Sequence, residues 1–411
     1  MKGGNIPASL SEGSETMNTD TLHLWNARLE PQACGTTIMK NEYDDFAILT
    51  DFDNLYKAHK SCRKGKRWKD SVAIYDIRGF ECTLKVQELL ANGTYRISPY
   101  NCFQINERGK KRDIKSIKYH DRVVQKCLND NILVPVITPK FVDANCASQK
   151  EKGTDHALIL CKKDLQREVR KHGTEGYVLV CDMHDYFNSI PHDLLNGFYE
   201  EYFSDHRLIG LIHHIHASIP GGVGVPLGNQ LSQLDALLAL SPLDHIIKEK
   251  LHIEGYGRYM DDFYLICEDK EYLKECLAII KKYVKDHGMT LNEKKTRIVP
   301  IRQGFDFLGF RFYVTKTGKV VQKLSKKSIK HHKHKLKKMR KLLLEGRITF
   351  QACKDAHEGW KAHAERGRRK KKKLTPQQRK RRSMPNTYYL VRKMDEYFSE
   401  LFKDEISKEA K

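Results

Sequence analysis

Two stretches decide the reading of this chain: Tyr177-Val-Leu-Val-Cys-Asp182, and Tyr259-Met-Asp-Asp-Phe263, whose first aspartate follows Asp182 by 79 residues. The first is a short β-rich apolar run that ends on an acid. The second lies within Arg258 to Ile266, where β-type residues flank Met260-Asp261-Asp262 as the tip of a hairpin. An aspartate ending a buried strand costs several kcal/mol unless it meets a cation. Adjacent aspartates in a tight turn repel one another for the same reason. Magnesium answers both needs, because it takes few carboxylates and completes its shell with water and phosphate oxygens. Two such ions roughly 3.5–4 Å apart activate an attacking hydroxyl and stabilise a leaving pyrophosphate. Asp182 and Asp261 are the expected ligands, with Asp262 in support. The alternative is a hairpin whose acidic tip is merely solvated.

Outward from these runs, the pattern alternates between helix and strand. Helical spacing covers Asp53 to Asn92, interrupted by the basic turn at 63–68. Tyr95 to Ile105 alternates like a strand, and Glu107 to Lys110 reads as the turn of a hairpin returning through Ile117. Helix is expected from His120 to Leu133, after Pro191, from about Ser232 to Leu251, and from Lys270 to His287, with strand around Thr296 to Pro300 and a hairpin over Phe307 to Val314. Beyond Lys326, Ile329, Leu336, Met339 and Leu343 form one apolar stripe on an otherwise basic helix.

Of the formal charge of +22, the segment from Lys326 to Arg382 carries +19, with 23 Lys and Arg against four acids. A basic region this concentrated on an otherwise balanced chain is the footprint of a polyanion, and no Trp- or Phe-anchored amphipathic face nearby suits a membrane surface. Nucleic acid is the expected partner. The eleven cysteines include no Cys-x-x-Cys pair and sit mostly in apolar segments, as reduced core thiols do. No apolar run is long enough to span a bilayer, and the opening residues lack a secretory apolar stretch, so a soluble cytoplasmic protein with no membrane partner is expected. His206, His213, His214 and His216 read as a polar helix face, and His331, His332 and His334 as part of the basic face.

Five motifs in a fixed order resemble those of reverse transcriptases. Tyr259-Met-Asp-Asp262 looks like their catalytic turn, and Asp182-Met-His-Asp-Tyr-Phe187 like their first aspartate motif. Gly228-Asn-Gln-Leu-Ser-Gln233 resembles the motif between these two. Leu291-Asn-Glu-Lys-Lys-Thr296 and Phe307-Leu-Gly-Phe310 resemble the two that follow. The resemblance implies an α+β right-hand polymerase: an N-terminal extension over 1–48, fingers over 49–175, a palm with an antiparallel sheet flanked by helices over 176–322, and a basic α-helical thumb and C-terminal region over 323–411. It also implies two Mg²⁺ ions on Asp182, Asp261 and Asp262, with Mn²⁺ as a substitute, and an RNA template, a DNA or RNA primer and deoxynucleoside triphosphates as partners.

The remaining site residues follow from the same likeness. Phe187 stands where the family places a ring under the sugar, which excludes a 2′-hydroxyl; a core phenylalanine is the alternative. Lys110, Lys111 and Arg112 on the fingers hairpin are expected to meet the triphosphate, Arg112 at the family's arginine position, with Gln233 beside the nucleotide; a merely solvated basic tip is the alternative. Lys295 corresponds to a lysine that neutralises the leaving pyrophosphate, although Lys294 stands one position away. Leu227, Gly228, Tyr259, Met260 and Gly309 are expected to contact template and primer, and Lys330 and Lys337 to hold their phosphates; for both glycines turn chemistry is the alternative. Leu227-Gly228 and Ser232-Gln233 look like the variant found in diversity-generating retroelements, which copy RNA with errors at adenines. Asp121-Arg-Val-Val-Gln125, Lys152-Gly-Thr154 and Trp360-Lys-Ala-His363 resemble the same group. The basic insertion from Arg366 to Arg382 is longer than that group has. A phage-defence reverse transcriptase, and a maturase-like protein that binds RNA without catalysis, stay open, as does a small accessory protein.

Overall fold

Alternation along Val178, Leu179, Val180 and Cys181 sends successive side chains to opposite faces of a sheet, and both faces are buried. The computed structural model describes residues 45–107, 110–366 and 386–409. Within them nine strands form: β1 Asn101–Glu107, β2 Lys110–Ser116, β3 Tyr177–Asp182, β4 Gly255–Tyr259, β5 Asp262–Cys267, β6 Arg297–Pro300, β7 Phe305–Phe307, β8 Phe310–Val314 and β9 Val320–Leu324. The central sheet is antiparallel in the order β4-β5-β3-β6. β1 and β2 make a separate hairpin, and β7, β8 and β9 a three-stranded antiparallel sheet.

On one face of the central sheet, Leu179, Cys181, Phe263 and Leu265 join the larger core, against which the Lys270–Asp286 helix packs. On the other, Val178, Val180, Tyr264 and Ile266 pack on Leu158, Cys161 and Leu165 of the Thr154–His172 helix and on the phenylalanines of β7 and β8. Each fully buried side chain of this size contributes about 1.5–3 kcal/mol, so a two-sided sheet is well anchored. That anchoring fixes where its strand ends point. The Lys326–Leu344, Phe350–Ala364 and Asn386–Leu401 helices close a third cluster around Leu336, Phe350, Met394 and Phe398. The stripe of Ile329, Leu336, Met339 and Leu343 faces it. No helix among the described residues is long and apolar enough to cross a membrane.

Several expectations change. The helix expected over 232–251 is two helices, Leu231–Leu238 and Ser241–His245, followed by a π-turn over Ile246–Lys250. Pro242 has no N–H for a continuous ladder and instead opens the second helix. The strand expected from Tyr95 begins at Asn101, because Tyr95 is buried and donates to Asp121 at 2.6 Å, and the Ser98 N–H donates to the same carboxylate at 3.2 Å. His332 does not belong to a nucleic-acid face. It is buried, parallel to Trp360 at 4.5 Å and 3.0 Å from His357. His216 is likewise buried, 2.6 Å from Asn196, rather than on a polar face. Ten cysteines are free thiols and mostly buried, while Cys34 lies outside the described residues, as does nearly all of the basic insertion.

Candidate active site

The β3–β5 register places Asp182 directly opposite Asp262, so the two side chains leave the same face of the sheet. Tyr259 pairs with Asp262 in the β4–β5 hairpin, leaving Met260 and Asp261 as its two-residue loop. The loop is tied to β3 by the Met183 N–H, which donates to the Asp261 carbonyl at 3.0 Å. Asp182 and the consecutive pair Asp261 and Asp262, far apart in sequence, thus share one end of the sheet. Met260 has φ 58°, a left-handed conformation that costs a methionine about 1–3 kcal/mol.

Something must hold that turn, and Arg258 does. It is wholly buried, donates to both oxygens of the equally buried Asp244 at 2.7 and 2.5 Å, and reaches the Met260 carbonyl at 3.2 Å. Tyr256 donates to the same Asp244 at 2.5 Å. The sequence reading missed this pair; its only signal was a lone arginine inside an apolar strand.

Electrostatics records the crowding. Burial first, then the charges of Asp182 and Asp261, push the Asp262 carboxyl up to about 8, against the Leu308 N–H that donates to it. Burial and Asp182 also raise Asp261, opposed by its own backbone N–H, Lys295 and Arg112. Lys295 donates to both oxygens of Asp182 at 2.7 Å. Of the two neighbouring lysines, Lys295 is the one whose ammonium contacts Asp182. The three aspartates do not bring one carboxylate oxygen each within 4.8 Å of one another. The donor set fits a divalent cation: all-oxygen ligands, two of them lifted by burial and repulsion that a cation relieves.

The other residues expected at the site lie on several elements. Arg112 is exposed on β2, and its charge is among those that oppose the rise of Asp261. Of Lys110 only the backbone is described. Gly228 has φ 124°, and a Cβ there would meet the Lys115 carbonyl at 3.3 Å, so this glycine is required by its approach to β2. Leu227 is half-buried and Gln233 exposed. Phe187 is half-buried against the larger core, its carbonyl accepting from the Val225 N–H at 2.7 Å. Leu308 and Gly309 form the β7–β8 turn with φ 48° and 84°, and a Cβ on Gly309 would meet the His363 ring at 3.2 Å. Turn geometry and the His363 contact both account for Gly309. Lys330 and Lys337 are exposed, seven residues apart and so on one side of their helix.

Three stretches singled out in the sequence meet these elements. The Arg122 guanidinium donates to the Gly228 carbonyl at 3.1 Å, and Gln125 accepts from the Gln230 N–H at 3.1 Å. The Thr154 hydroxyl lies 3.3 Å from the Tyr259 hydroxyl. His363 packs on Phe310 at 5.4 Å.

The family described as reverse transcriptase (RNA-dependent DNA polymerase) matches residues 104–312, slightly more than half of the chain. Among solved structures, a Candida albicans telomerase in complex with a TWJ fragment of telomeric RNA is 16% identical, with a TM-score of 0.43, covering 66% of this chain and 54% of that one. An apo telomerase from Candida tropicalis is 16% identical, with a TM-score of 0.39 and coverage of 60% and 53%; a form truncated from its C-terminal domain gives 15%, 0.40, 59% and 60%. This chain therefore spans little more than half of each of these relatives. No curated protein matches it.

Proposed function

Because the chain belongs to the reverse transcriptase family, we propose that it is an RNA-directed DNA polymerase whose catalytic centre is the shared end of β3 and β5. The observation that carries this reading is the register of Asp182 against Asp262 with Asp261 in the adjoining loop. Residues 49–175 act as fingers, 176–322 as palm and 323–411 as thumb.

Reverse transcriptase domains use divalent metal ions. Here Asp182 and Asp261 hold them with Asp262 in support, Mg²⁺ being the ion their oxygens suit and Mn²⁺ a substitute. Bound there, the ions supply activation of the primer hydroxyl and neutralisation of the leaving phosphates. The chain's own groups do the rest. Arg112, with Lys110, meets the triphosphate from the β1–β2 hairpin, and Gln233 lies along the nucleotide. Lys295 gives the departing pyrophosphate a cation and a proton donor. Phe187 closes the space beneath the sugar, so a deoxyribose fits and a ribose does not. Leu227, Gly228, Tyr259, Met260 and Gly309 border template and primer, and Lys330 and Lys337 bind phosphates without reading bases.

The finer reading is the reverse transcriptase of a diversity-generating retroelement. Supporting it, the Asp121–Gln125 stretch that resembles that group holds Gly228 and Gln230, just ahead of the Leu231–Leu238 helix, through Arg122 and Gln125. Primer extension on poly(rA)–oligo(dT) with Mg²⁺ or Mn²⁺ tests the activity. Incorporation of dTMP is expected, and none from a folded protein, even on RNA that co-purifies with it, refutes it. Errors concentrated at template adenines are expected of the finer reading; uniform fidelity points to a defence enzyme.

A further inference from the structure

β5 begins at Asp262 and ends at Cys267, so the residue after it, Glu268, lies about 20 Å from the aspartates at ~3.3 Å per residue. There the last turn of the Thr154–His172 helix meets the sheet. Glu168 and His172, one helical turn apart, present one face, and Glu268 approaches it from the strand. A carboxylate oxygen of each glutamate and a ring nitrogen of His172 all lie within 4.8 Å of one another.

Glu168 is the unusual member. It is only 8% exposed, and its Oε1 is buried with no hydrogen-bond partner, which costs a carboxylate more than it costs a neutral group. Gly176 leaves room for it: a Cβ there would meet that oxygen at 2.7 Å. Burial, reinforced by Glu268 and Glu254, raises the Glu168 carboxyl, while His172 opposes the shift. The nearest cations are committed elsewhere. Lys171 donates to Glu254 at 2.6 Å, and Arg167 lies 3.4 Å from Asp164 and donates to the Glu254 carbonyl at 3.2 Å. His172 stands 3.6 Å from Glu268, too far for a hydrogen bond, and the Cys267 thiol touches the same oxygen weakly at 3.4 Å.

We propose that Glu168, His172 and Glu268 bind one divalent transition-metal ion of the Zn²⁺ type, fastening the end of the Thr154–His172 helix to the end of β5. Two carboxylates and one imidazole leave a fourth position for water. The imidazole separates this site from the all-oxygen aspartates, because nitrogen suits Zn²⁺ and not Mg²⁺. The ion supplies the partner that buried Glu168 lacks and joins two elements that otherwise meet through side chains alone.

The test is Zn²⁺ binding to the full chain by calorimetry in saturating Mg²⁺, which occupies the aspartates. One Zn²⁺ per chain is expected, with affinity falling at least about tenfold in His172→Ala and Glu168→Gln and holding in Asp261→Asn. The exposed Glu268→Gln variant guards against misfolding: Zn²⁺ raises the melting temperature of the wild type and not of this variant. Zn²⁺ binding and thermal response unchanged across the three variants, or no Zn²⁺ bound by the wild type, overturns the proposal.

Discussion

The end of the central sheet and the Lys326–Leu344 helix both gather charge of one sign, and they do so in opposite ways. At the sheet, register forces Asp182, Asp261 and Asp262 together, and the crowding shows in an Asp262 carboxyl pushed up to about 8. Along the helix nine Lys and Arg occur in 19 residues, most of them exposed to water. Concentrated charge has a free-energy cost that a small multivalent counterion relieves. Dispersed charge costs little, because water solvates each group, and it suits a long polyanion. The first arrangement does chemistry at a point; the second holds a strand.

This contrast can be broken in order of effect. Arg258→Met leaves Asp244 buried without its cation, so stability should fall by about 3–5 kcal/mol in urea unfolding, and Arg258→Met with Asp244→Leu should recover part of it. Equal losses in the single and double variants mean that the pair is not what supports the turn. Lys295→Ala should lower single-turnover incorporation about 10²-fold, whereas Lys294→Ala should leave it within about threefold. Matching effects from the two would assign the role to neither.

On the helix side the buried exception is His332, which burial first and His357 second hold down to about 3. The unfolded chain takes up a proton below ~6.5 that the folded chain refuses until far lower pH. Stability therefore falls as pH drops from about 6.5 toward 3, by about 2 kcal/mol at pH 5 from this group. His332→Phe should flatten that slope in thermal melts, and a slope that persists locates the pH sensitivity elsewhere. Smallest are Lys330→Ala and Lys337→Ala. Each should reduce the slope of log affinity for template–primer against log salt by about 1 without altering single-turnover chemistry. A slope indifferent to both removes this helix face from the phosphate track.

How much of this the sequence disclosed follows the same division. Strand parity and turn chemistry are local, so the strand ending at Asp182 and a hairpin tip around Met260-Asp261-Asp262 were legible, although Asp262 proves to be the first residue of β5. What supports them is not local. Asp244 sits in a segment that reads as one long helix until Pro242 breaks it, and nothing in spacing says that it meets Arg258. The Leu308 N–H on Asp262 depends on how two sheets stack. His332 carries the same letter as its exposed neighbours His331 and His334, and only packing against Trp360 turns it inward. Glu168 and His172 went unremarked because a helical turn between an acid and a histidine is commonplace until a strand brings Glu268 beside them.

The account stands on the aspartates, and the most direct measurement is single-nucleotide incorporation by Asp261→Asn beside template–primer affinity. Incorporation should drop at least about 10³-fold with affinity within about twofold of the wild type, since the carboxylate serves the reacting phosphates and not the duplex. Incorporation within about tenfold of the wild type would contradict it.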